Sequence, residues 1–101
     1  MSENIENYTF YFKIAYTERT CHYTFPSNLS LKNFIEKIMY EARIDFEIPD
    51  NQTIEVVEAG NYNNINGHDA EVAPALEPIE NTLYEVYGNN WKFKPFYLRI
   101  N

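Results

Sequence analysis

The chain has 101 residues, room for one domain around a single core. Hydrophobic residues make up 45% and aromatics 17%, too apolar for a disordered tail, yet no run approaches the ~20 apolar residues of a membrane span. The net charge of −7 opposes non-specific nucleic-acid binding, which needs Lys and Arg against phosphates, and equally opposes anionic membrane surfaces.

Residues 1–7 are acidic and polar. They predict a flexible N-terminus rather than a secretory or transit leader, and so an intracellular, cytoplasmic protein. From Tyr8 to Tyr16 the even positions are large and apolar or aromatic, a period of two that predicts a half-buried strand. Thr17-Glu18-Arg19 reads as a short turn. A second alternation follows, with Cys21, Tyr23 and Phe25 on one side and Thr20, His22 and Thr24 on the other. Together they predict a hairpin, closed by Pro26, which cannot donate to a ladder. The period then changes. Ser30 is a good N-cap, Leu29 and Phe34 sit at staple positions, and Leu31, Phe34, Ile35, Ile38 and Ala42 recur at helical spacing. Lys32, Glu36, Lys37 and Glu41 are expected to face water. Pro49 places the helix end in the mid-forties.

A third strand reads Thr53–Glu58, stopped by Gly60 and Asn61. Residues 61–75 read as a loop or loose hairpin, with Asn66-Gly67 a strong turn signal. Thr82–Tyr87 predicts one helical turn ending at Gly88. A last strand, Pro95–Ile100, puts Phe96, Leu98 and Ile100 on one face. Thirteen Asn and ten Ile against three Gly suit an AT-rich genome.

The order hairpin, helix, strand, irregular segment, strand is that of an α+β fold of the β-grasp type, a mixed sheet packed on one helix. The last strand is expected parallel to the first, in the middle of the sheet. Short motifs in the same order carry a resemblance to the ubiquitin family. Pro26-Ser27 ends the hairpin as the family's Pro-Ser does. Ile48-Pro49-Asp50 follows the helix, as Ile-Pro-Pro-Asp does there. Gln52 leads into a strand ending Ala59-Gly60. Thr82-Leu83 has a tyrosine shortly after, and Leu98-Arg99 lies in the last strand. The resemblance spans roughly residues 8–100 and implies a single ubiquitin-like domain over 8–101, with a loop insertion near 61–75.

Modifiers of this family need a C-terminal Gly-Gly. The chain ends Ile100-Asn101 with no glycine after Gly88, so conjugation is not expected, nor is sulfur carriage. Carried over by position, the family's apolar recognition patch falls on Thr17 or Glu18, Val57, Tyr97 and Arg99. Only Val57 keeps aliphatic character, so ubiquitin receptors are expected to bind weakly or not at all. A different protein partner is expected on the exposed sheet face, through Tyr11, Lys13, His22, Val57, Tyr97 and Arg99. An exposed Tyr–Arg pair has hot-spot composition.

The signals for chemistry are weaker. Cys21 and His22 are neighbours in a strand and point to opposite faces, so a nucleophile–base pair is not expected. A single cysteine excludes an internal disulfide and multi-cysteine metal sites. His68, Asp69 and Glu71 could offer metal ligands but sit in a polar loop without a second histidine or cysteine nearby. Tyr62 and Ile65 are the loop residues most suited to recognition. The sequons at Asn7, Asn28 and Asn51 arise readily in an Asn-rich chain and are expected to stay unmodified. Eight basic residues against fifteen acidic ones argue against aromatic stacking on single-stranded nucleic acid. Trp91-Lys-Phe-Lys94 reads as a small basic, aromatic interaction edge. The resulting expectation is a non-catalytic interaction module with no cofactor and no metal. The alternative is a small structural subunit of a larger assembly, viral particles included.

Overall fold

A computed structural model describes residues 7–14, 17, 19–58, 73–94 and 96–101. The alternating N-terminal segments form β1 (Asn7–Ile14) and β2 (Thr20–Pro26), an antiparallel hairpin. The helix α1 spans Leu31–Asp45, and β3 spans Ile54–Glu58. A short helix α2 (Leu83–Tyr87) runs into a 3-10 helix (Gly88–Phe93), and β4 (Phe96–Ile100) follows. The sheet order is β2-β1-β4-β3. Strand β4 lies parallel to β1 and antiparallel to β3, so the last strand is central, as expected from the order of elements. Within the described residues the first strand runs to Ile14; Ala15 and Tyr16, the last two residues of the expected strand, lie outside them, as does Glu18.

The core sits between α1 and one face of the sheet. The five helix positions read from periodicity, Leu31, Phe34, Ile35, Ile38 and Ala42, are its buried face. They meet Phe10, Phe12, Ile14, Phe25, Ile54, Val56, Phe96 and Leu98 from the strands. Aromatic rings dominate this core. Phe34 lies 4.7 Å from Phe25 and 5.2 Å from Phe96, centroid to centroid, in the tilted and edge-on arrangements that ring quadrupoles favour.

Both ends of α1 are satisfied in ways that fix neighbouring chain. At the start, Ser30 Oγ accepts from the Asn33 amide at 3.1 Å. The Leu31 and Lys32 amides donate to the carbonyls of Asn81 and Ile79, both at 2.8 Å. Two donors that a helix start leaves without intrahelical partners thus bind residues 79–81. At the end, the Glu47 amide donates to the Ile44 carbonyl (3.3 Å) and the Ile48 amide to that of Arg43 (3.0 Å). This is the paired closure of a Schellman motif, which needs a left-handed residue between the two. Glu47 takes that role at φ 53°, where glycine is the usual occupant.

The short helix α2 carries a full capping box, with Thr82 Oγ1 accepting from the Glu85 amide and Glu85 Oε1 from the Thr82 amide. It stops at Gly88, φ 71°, a conformation that a side chain would strain. The 3-10 helix that follows carries Trp91 into the core. Its ring packs edge-on to Tyr8 at 5.1 Å and lies 5.2 Å from Phe10. The expected interaction edge at Trp91 is therefore corrected, since its tryptophan is buried. Among the described residues no helix is long and apolar enough to cross a membrane.

Candidate protein-binding face

The face of the sheet turned away from α1 collects Thr20, His22 and Thr24 from β2, Thr9, Tyr11 and Lys13 from β1, Tyr97 and Arg99 from β4, and Glu55 and Val57 from β3. Register brings the six candidate residues together there. Tyr11 pairs with His22, Lys13 with Tyr97, and Tyr97 with Val57, and Arg99 lies opposite Glu55. The face is continuous, but its two halves differ in exposure.

On the β1–β2 half, Tyr11 is 64% exposed and its ring lies 5.6 Å from that of His22, also exposed. Next to them the Thr9 and Thr24 hydroxyls share a 2.9 Å hydrogen bond. Both contacts link non-hydrogen-bonded partners of the hairpin, where side chains approach most closely.

On the β3–β4 half, Val57 and Tyr97 are 0% exposed, although neither belongs to the core under α1. The exposure expected of these two is corrected: their side chains are on the outer face, and that half of the face is covered. Arg99 is committed as well. Its Nε donates to Glu55 Oε1 at 2.9 Å and its Nη1 to the Ala73 carbonyl at 2.6 Å, which draws the chain at Ala73 against this face. The Asn101 side-chain amide donates to the same Glu55 oxygen. Arg99 holds the Glu55 carboxyl below its ordinary range; burial opposes this to a lesser degree, and the Asn101 hydrogen bond adds the smallest lowering. The Ala75 bridge to Val57 and the Leu76 amide, which donates to the Val56 carbonyl at 2.8 Å, pin the same segment to β3.

The remaining polar groups are structural in their placement. Cys21 packs against the core and His22 is exposed on the opposite face, so the sheet separates the two. Burial pushes the Cys21 thiol up, with Asp45 adding to it and a hydrogen bond with Tyr23 partly offsetting it. The Tyr23 hydroxyl donates to Asp45 Oδ2 at 2.9 Å, and burial, Cys21 and Asp45 all hold it protonated. Tyr87 is pushed up to about 12 by burial, with Glu58 contributing. Lys94 Nζ meets Glu58 at 3.4 Å and lies 5.6 Å from the Tyr87 ring centroid. Among the described residues no group of three His, Cys, Asp or Glu is arranged to hold a metal. His68, Asp69, Glu71, Tyr62, Ile65 and the Asn66-Gly67 turn lie outside the described residues.

Comparison of the chain with protein-family models, with curated proteins and with solved structures finds no match.

Proposed function

We propose that the chain is a ubiquitin-like module of the β-grasp type that binds a protein partner non-covalently and without catalysis. The contact is the exposed half of the outer sheet face, centred on Tyr11 and His22 with Lys13 at its border. One observation carries this reading: a large aromatic side chain stands mostly in solvent, its ring tilted against that of a histidine 5.6 Å away, on the hairpin half of the sheet. Tyr is among the residues that dominate interface energetics, because it brings much area at little cost in rotamer freedom. Val57, Tyr97 and Arg99, by contrast, support the platform from its covered half. The element order, the parallel central β4 and the short ubiquitin-like motifs support the family reading.

The test is affinity capture from the source cell with a Tyr11→Ala/His22→Ala double variant and a Tyr40→Ala control. A partner retained by the control and lost by the double variant is the expected result. A partner that survives the double variant would move the interface off this face. The structural-subunit alternative draws on Tyr40 and Ile44, which are 67% and 57% exposed one turn apart on α1. It predicts instead that the Tyr40→Ala control is the variant that loses its partners.

A further inference from the structure

The two edges of the sheet are built differently, and the hydrogen-bond parity of the hairpin shows how. The Ile14 amide donates to the Arg19 carbonyl at 3.0 Å, so these two form a hydrogen-bonded pair. Pairs alternate along an antiparallel ladder. In the observed register the pairs 12/21, 10/23 and 8/25 therefore bond to each other, and 13/20, 11/22 and 9/24 do not. The backbone N–H and C=O groups of Thr20, His22 and Thr24 thus point away from β1, to the open side of β2. Lys37 Nζ reaches the Thr24 carbonyl from that side at 3.5 Å, as the parity requires. Among the described residues it is the one group that meets this edge.

Natural edge strands are commonly blunted by charged side chains. Strand β1 carries Lys13, β3 carries Glu55 and Glu58, and β4 carries Arg99. The edge strand β2, Thr-Cys-His-Tyr-Thr-Phe-Pro, has no Asp, Glu, Lys or Arg. The other edge of the sheet, β3, is occupied by Ala75 and Leu76.

We propose that the open edge of β2 pairs antiparallel with the same edge of a second copy of this chain, His22 opposite His22 across a two-fold axis. The two four-stranded sheets then join into one. The outward groups are symmetric about His22, so Thr20 of each copy meets Thr24 of the other, and the seam closes with about six backbone hydrogen bonds. The threonine pairs are favourable cross-strand neighbours. Pro26 lacks an N–H and ends the seam. A second copy satisfies every outward group by symmetry, and closed two-fold pairing is the commonest way for a chain to associate with itself. No like charges on β2 face each other across the seam, but each copy carries −7 overall. The association is therefore opposed at long range and strengthens with salt. It also requires Lys37 to release the Thr24 carbonyl. The seam is made by the backbone groups of Thr20, His22 and Thr24, whereas the proposed partner contact uses the Tyr11 and His22 side chains, so the inference does not rest on that role.

Sedimentation equilibrium of the full chain over a range of concentrations tests it, at low and at high salt. The expected mass rises from 12.0 kDa towards twice that value, at lower concentration when salt is high. His22→Pro removes an N–H that the monomer ladder does not use and is expected to stay monomeric throughout. If that variant fails to fold, His22→Lys places two ammonium groups across the seam and is expected to weaken pairing roughly tenfold or more. Lys37→Ala is expected to strengthen it. A wild-type chain that stays monomeric at every concentration and salt, or a dimer that survives His22→Lys unchanged, would overturn the proposal.

Discussion

Strands β2 and β3 are both edge strands of one small sheet, yet their surroundings are opposite. Beside β3, residues 73–76 take up a carbonyl of the free edge, Arg99 ties Ala73 to the outer face, and Val57 and Tyr97 lose all exposure. Beside β2, among the described residues, Lys37 alone meets the edge, and Tyr11 and His22 stand in solvent. The same alternation of side chains thus serves two purposes. On one side the outer face is a second packing surface, which adds stability to a domain small enough for its core to be marginal. On the other the outer face stays exposed at Tyr11 and His22.

The largest test of this contrast compares two tyrosines on one face. Tyr97→Ala is expected to cost about 3–5 kcal/mol, as large-to-small changes at buried aromatic sites do. Tyr11→Ala is expected to stay within about 0.5 kcal/mol, as exposed positions do. Urea unfolding of both variants measures the difference, and equal losses would break the contrast. A smaller effect is expected at the loop that feeds β3. The Arg43 guanidinium donates to the carbonyls of Ile48, Pro49 and Gln52 at 3.4, 2.7 and 3.2 Å. Arg43→Ala is expected to cost about 1–2 kcal/mol by thermal unfolding. Arg43→Lys should recover only part of it, since an ammonium cannot reproduce the planar fork.

Glu47→Gly sharpens the comparison by lying off the sheet. Relieving the left-handed residue of the Schellman motif is expected to stabilise the chain by about 0.5–1 kcal/mol without altering either edge. The weakest effect appears only in acid. Glu55, held below its ordinary 4.5 by Arg99, binds a proton less readily folded than unfolded. Its contribution is present above that ordinary value and is lost as pH falls through the lowered folded one. Glu55→Gln is therefore expected to flatten the acid decline in stability below pH 4.5, as read by denaturant midpoints across pH.

The periodicities made much of this fold legible. Period two marked the hairpin and its inward residues, and period 3.6 marked the five core positions of α1. The helical turn expected over Thr82–Tyr87 with its stop at Gly88 located α2, whose first residue in that reading proves to be its N-cap. What alternation cannot say is whether an outward face is then covered. Val57 and Tyr97 read as exposed because the contacts that fix residues 73–76 to β3 and Arg99 join positions far apart in sequence. Trp91 read as an edge residue for the same reason, since its burial depends on Tyr8 and Phe10. The end of α1 hid its Schellman motif because the left-handed position holds Glu47 and not glycine. The open state of β2 followed only from ladder parity, which needs the register.

Amide hydrogen exchange, at a dilution where the chain is monomeric, tests the contrast most directly. The account predicts fast exchange at His22 and Thr24, slow exchange at Cys21, Tyr23 and Phe25 between and beside them, and protection of the Leu76 amide on the opposite edge. Protection at His22 and Thr24 in the monomer, or an unprotected Leu76, would contradict it.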